Sequence, residues 1–183
     1  MASKFLPSET GMRANFRRIF RTILRTSLLG LLLALLCLPT LALRRAMAED
    51  RPETLPLVIG NSGYAVTVAD LEKLPHTTIV THTPFLPGAV SFDGVLLRDL
   101  LKAAKLSAAT LEMTALNDYR VEVPASDAER YDVIVAYKVD GKYMRVRDKG
   151  PFWLIYPMDQ HPELQDEASA TKMIWQMKTI EGR

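Results

Sequence analysis

Residues 79–101 read IVTHTPFLPGAVSFDGVLLRDLL. The β-branched run from Thr77 to Thr81 predicts a buried strand. It leads to His82, set between two threonines, then to a loop with two prolines and a Phe92-Asp93-Gly94 turn. From about residue 94 to 106 the spacing predicts a helix. Leu97, Leu100, Leu101 and Ala104 recur at i, i+3, i+4 and i+7, which puts them on one face, while Arg98, Asp99, Lys102 and Lys105 take the others. Such a helix packs its apolar stripe against a sheet. A polar loop joining a strand to a helix is a common place for reactive or ligand residues. Thr81, His82, Thr83 and Phe85 are therefore the first pocket candidates.

Working outward, Leu57 to Gly60 predicts a short strand ending in an N-S-G turn, with Tyr64 to Val68 returning beside it. Thr67 and Asp70 have the spacing of a capping box, and the short helix they open is stopped by Pro75. Downstream, Thr110 to Leu116 and Tyr119 to Val123 flank an Asn117-Asp118 turn, and Ser126 with Glu129 suggests a second capping box. Val133 to Val139 and Lys142 to Val146 flank Asp140-Gly141, a strong two-residue hairpin signal. Trp153 to Tyr156 predicts an apolar strand closed by Pro157. Residues 160–171 are polar and read as a loop, and the alternation of Met173, Trp175 and Met177 predicts a final strand. Strands mixed with a few short helices, without regular βαβ order, imply an α+β fold built on a compact mixed-sheet domain.

The 183-residue chain carries a formal net charge of +2, but its ends differ sharply. Residues 1–48 hold eight of the 23 Lys and Arg but one of the 21 Asp and Glu, so the remainder is acidic, 15 against 20. That leading segment has a basic start, a charge-free run LLGLLLALLCLPTLAL and then Ala46-Met47-Ala48. The pattern reads as a secretory signal, residues 1–48, and implies a periplasmic protein. The alternative is an uncleaved anchor, although 16 apolar residues fall short of the ~20 a span needs. Arg17-Arg18 partly matches a twin-arginine signal, a minority route. Residues 49–56 read as a flexible leader and 57–181 as the domain. The acidic remainder gives no basic surface for nucleic acid. Cys37, the only cysteine, lies in the signal, so the domain has no thiolate nucleophile, thiolate ligand or disulfide. The terminal Ile180-Glu181-Gly182-Arg183 also spells an engineered protease site and is given no functional weight.

Candidate chemistry is sparse. A neutral imidazole can bind metal or act as a base, but His76, His82 and His161 lack metal-site spacing, and His82 also reads as an ordinary polar loop residue. Tyr119, after Asn117-Asp118, either presents a hydroxyl to a cleft or packs on the sheet. The pairs Asp118/Glu122 and Asp127/Glu129 fall in turn and cap contexts, where carboxylates serve structure. Trp153, Tyr156, Trp175, Phe85 and Phe92 either wall an apolar pocket or form core. No complete active site follows from the residues alone.

The order of motifs carries more information than any one of them. A β-branched strand leads to F-x-G-V-x-L-x-x-L-L, here residues 92–101. Asn117-Asp118-Tyr119 follows, then Asp140-Gly141, Gly150-Pro151, the strand closed by Pro157, and a terminal stretch with Trp175 and Ile180. This resembles the molybdopterin-binding domain of the sulfite oxidase family, especially small secreted bacterial members, from about Leu57 to Ile180. The resemblance implies a compact mixed-sheet fold that holds molybdenum on a pterin dithiolene, with a cysteine thiolate completing the site in catalytic members. That cysteine belongs to the segment that here reads Thr81-His82-Thr83-Pro84-Phe85. Catalytic members also place an arginine where Trp153 stands and a lysine where Ile174 stands. A phosphorylated pterin needs cations, and imidazole does not reproduce a thiolate's softness or charge. The expectation is a periplasmic, non-catalytic ligand-binding or signalling domain without bound cofactor, its partner a small ligand or a membrane-bound signalling or redox protein. Its pocket candidates are Thr81, His82, Thr83, Phe85, Tyr119 and Trp153. The alternative is an oxidoreductase that retains molybdopterin and uses His82 or water at the metal.

Overall fold

A computed structural model describes residues 54–60 and 62–183. The expected signal, and the leader as far as residue 53, lie outside the described residues.

In chain order the elements are β1 (Leu57–Ile59), β2 (Tyr64–Val66), α1 (Val68–Leu71), β3 (Thr77–Thr83), β4 (Leu86–Leu96), α2 (Leu97–Ala103), β5 (Thr110–Ala115), β6 (Arg120–Pro124), α3 (Ser126–Arg130), β7 (Ile134–Val139), β8 (Lys142–Tyr143), β9 (Trp153–Ile155), α4 (Glu167–Lys172) and β10 (Met177–Gly182). They build two five-stranded sheets. The first runs β2-β1-β10-β5-β6, with β1 and β10 parallel and the other pairs antiparallel. The second runs β3-β4-β7-β8, with β9 pairing the early part of β7 and β8 its last two residues. The fold is the α+β, mixed-sheet arrangement expected from the order of elements.

The hairpin signals act as their chemistry requires. Asp140 and Gly141 both take positive φ, 48° and 73°, the two left-handed positions of a tight turn between β7 and β8. Asp70 accepts the Thr67 backbone N–H at 3.1 Å and the Thr67 hydroxyl at 2.7 Å, closing the start of α1. The apolar stripe of α2 is as read: Leu97, Leu100 and Leu101 are buried.

The stretch after His82 differs from the expectation. It is not a loop, and Phe92-Asp93-Gly94 is not a turn. The alternation of β3 continues through His82 and Thr83, with Thr81 and Thr83 facing inward, and the chain reverses at Pro84-Phe85 into the eleven-residue strand β4. Residues Phe92–Leu96 of β4 pair with β7, so the earlier part keeps one free edge, where Pro87 breaks no ladder bond. Gly94 answers a close approach instead of a turn. A Cβ there would lie 2.4 Å from the Val135 carbonyl oxygen, beside a register shift between Asp93 and Gly94. The helix consequently starts at Leu97, not near residue 94.

Four further expectations are corrected. Residues 160–171 hold a 3₁₀ turn, Pro162–Leu164, and the helix α4, which Asp166 caps by accepting the Ser169 N–H at 2.6 Å. That helix is short and largely polar, so its periodicity was invisible. Residues 173–176 form no ladder beyond a bridge between Trp175 and Trp153, and β10 begins at Met177. Strand β8 stops at Tyr143, and Val146–Asp148 is a 3₁₀ turn. Helix α3 exists, but Ala125 is its N-cap and no side chain caps it. The terminal I-E-G-R is integral: Ile180, Glu181 and Gly182 pair with β5, and the Arg183 guanidinium meets buried Glu112 at 2.6 Å.

Candidate functional site

Two adjoining clefts open where the β3–β4 turn, the β5–β6 turn and α4 converge. The first, about 500 Å³, is walled by Phe85, Trp175, Met173 and Ile174, with Asn117, Tyr119, Glu167 and Thr171 as its polar lining. The second, about 610 Å³, is lined by His82, Thr83, Met158, Asp159, Asp166 and their neighbours. Pro84, Glu167 and Ala170 line both.

Helix α4 provides the shared side of the clefts because it is pinned from beneath. Lys172 donates to Asp127 Oδ2 at 2.9 Å, and the Tyr156 hydroxyl donates to the same oxygen at 2.9 Å. Tyr156 is fully buried, and burial, with the Asp127 carboxylate beside it, pushes its phenol far above the ordinary range, so it stays a donor. Asp127 thus serves structure, as its helix context suggested, but through partners remote in sequence.

The six pocket candidates divide. Thr81 is buried, and its hydroxyl accepts the Asp159 N–H at 3.1 Å. His82 is 65% exposed at its side chain; its Nδ1 lies 2.9 Å from Asp159 Oδ2, and its backbone N–H donates to the same oxygen at 3.0 Å. A carboxylate only accepts, so Nδ1 is the donor in this contact. Thr83 accepts the Phe85 N–H at 3.3 Å across the turn. Thr81 and His82 therefore stitch the hairpin tip to Asp159 in the segment after β9, Thr83 braces the turn itself, and His82 and Thr83 also line the second cleft. Among the described residues no group of three or more His, Cys, Asp and Glu could hold a metal ion.

Phe85 and Tyr119 line the first cleft. Tyr119 is 46% exposed, with its backbone N–H turned to Asn117 Oδ1, so the ring sits on the rim and is not packed into the sheet. Trp153 does not line it. It is 1% exposed and its Nε1 donates to the Met173 carbonyl at 2.9 Å. Edge contacts to Phe92 at 5.5 Å and Trp175 at 6.0 Å complete its surroundings. The aromatic set is therefore core in Trp153, Phe92 and Tyr156, and wall in Phe85 and Trp175, whose rings meet at 4.9 Å. Sequence reasoning missed the α4 contribution, Glu167, Ala170 and Thr171, together with Met173, and singled out Ile174 only as the position of the family's lysine. The one available signal was Asp166 three residues before Ser169.

The molybdopterin-binding domain that the motif order resembles has a testable requirement here. The segment corresponding to its metal-binding loop, residues 81–85, borders both clefts. The oxidoreductase molybdopterin binding domain family model matches residues 69–159. The chain resembles this family. Among solved structures, the sulfane dehydrogenase SoxCD from Paracoccus pantotrophus superposes with a TM-score of 0.53 at 17% identity, over 69% of this chain and 37% of that one. The likeness is one of fold, and this chain spans little more than a third of that protein's chain. No curated protein matches.

The residues present do not fit the family's cofactor. The cysteine of the chain, Cys37, is outside the domain, so no described residue supplies a thiolate. The position that resembles the family's arginine is filled by the buried Trp153 indole, whose one polar atom is already bonded. Ile174, at the lysine position, is 2% exposed and apolar wall. No Lys or Arg lines either cleft, and the charged side chain of the first is the carboxylate of Glu167. An anionic, phosphorylated pterin would meet carboxylates where it needs cations.

Proposed function

We propose that this domain is an exported, non-catalytic small-ligand-binding module on the molybdopterin-binding fold. The observation that carries the reading is the first cleft: a concave, aromatic-walled site with a few convergent polar groups, the usual form of a small-molecule site, but without the thiolate and cations that the family's cofactor requires. The basic and apolar leading segment with its Ala46-Met47-Ala48 site supports export. The His82–Asp159 pair supports a fastening role for the hairpin tip, because the imidazole is already tied to a carboxylate and has no nucleophilic serine or cysteine among its hydrogen-bond partners.

Protein purified from its native periplasm should begin at Glu49 by mass spectrometry and carry far less than one molybdenum per chain, with no pterin–metal absorbance. Stoichiometric molybdenum that disappears in a His82→Ala variant would establish the redox reading instead.

A further inference from the structure

We infer that the first cleft selects a small aromatic cation, a ligand with a ring for the Phe85–Trp175 wall and an ammonium for Glu167. The inference rests on the ligand-binding reading and names the class of ligand.

Three observations support it. The wall is formed by Phe85 and Trp175, packed edge to face at 4.9 Å, with Met173 and Ile174 beside them. This surface takes a flat apolar group, and aromatic faces attract a cation placed over them. Glu167 is the charged group of that lining and also borders the second cleft. Its carboxylate meets no donor among the described residues, whereas Asp159 is committed to His82 and Asp166 to Ser169. The second cleft adds Asp159 and Asp166 and no Lys or Arg, so the field across the shared edge at Glu167 is acidic.

One group acts in the opposite sense. The Lys149 ammonium lies 4.6 Å from the Trp175 ring centroid and 5.8 Å from that of Trp153, although it does not line the cleft. It is half-buried against the indoles and adds a positive charge near the wall. The two ionic groups therefore make opposite and separable contributions to ligand sign: Glu167 favours a cation and Lys149 opposes it.

The chain's two tryptophans are Trp153 and Trp175, one under the wall and one in it, so intrinsic fluorescence reports this site. The experiment titrates the exported domain with three probes of one size and different charge: 2-phenylethylamine, 2-phenylethanol and phenylacetate. The amine should bind about tenfold more tightly than the alcohol, and phenylacetate most weakly. Glu167→Gln should erase the preference for the amine over the alcohol. Lys149→Gln should strengthen amine binding. Tightest binding of phenylacetate, equal binding of all three, a preference unchanged in Glu167→Gln, or no saturable response would each overturn the inference. Molybdenum content measured on the same samples tests the underlying reading separately. Stoichiometric metal would remove that reading, whereas metal-free protein with the wrong probe order would remove only the ligand class.

Discussion

Trp153 and His82 stand close in the resemblance to a metal site and far apart in physical role. Trp153 is 1% exposed, ringed by Phe85, Phe92 and Trp175, with its indole N–H spent on Met173. Trp153→Arg would bury a guanidinium without a carboxylate partner. That variant should lose about 3–5 kcal/mol, the range for an uncompensated buried charge. His82→Ala removes one hydrogen bond from Asp159, which keeps the His82 backbone N–H. Its cost should be about 1 kcal/mol. Denaturant melts of both variants check the order, and a tolerated Trp153→Arg would mean that a polar site surrounds the indole after all. At this scale the sequence was half legible. The lack of any cysteine after Cys37 could be read directly from the chain, and the lack of two cations from the family resemblance. Which aromatics were wall and which were core could not, because that depends on the Trp153–Trp175 bridge, a contact between residues far apart in the chain.

The elements show the same division between local and remote causes. Helix α2 was legible because its stripe repeats within its own length, and the β7–β8 hairpin because Asp140-Gly141 fixes its own turn. Strand β4 was not. Its proline and its two glycines are the usual signs of a loop, yet Pro87 sits on a free edge and Gly94 is demanded by the Val135 carbonyl of β7. Only the partner strand explains them. The helix supplies the direct test. Leu100 is fully buried on the face of α2 that packs into the core, and Leu100→Asp should cost several kcal/mol, on the order of an unpaired buried carboxylate. Leu100→Met, which nearly conserves volume, should cost less than about 1.5 kcal/mol. Thermal melts that leave the Asp variant near the parent would show the apolar stripe to be misassigned.

Across the whole molecule, the two sheets are fastened by side chains as well as by apolar packing. Glu72, at the end of α1 next to the first sheet, accepts from Tyr143 Oη at 2.5 Å and Lys138 Nζ at 3.0 Å, both on strands of the second sheet. The Tyr143 hydroxyl first, and then the Lys138 ammonium, hold the Glu72 carboxyl below its ordinary range. The sign follows from proton uptake. The unfolded chain binds this proton more readily than the folded one, so the tie contributes fully above the usual glutamate pKa of about 4.3. It is lost as pH falls below that value and through the folded one. Because the Glu72 side chain is one-third exposed, solvent screening limits its contribution to about 0.5–1 kcal/mol. Urea unfolding of the parent at falling pH should therefore show a loss that Glu72→Gln partly lacks: the variant starts lower at neutral pH and converges on the parent as the carboxylate becomes protonated. A gap between the two that stays constant as pH falls would mean that the cross-sheet tie contributes no pH dependence to the fold.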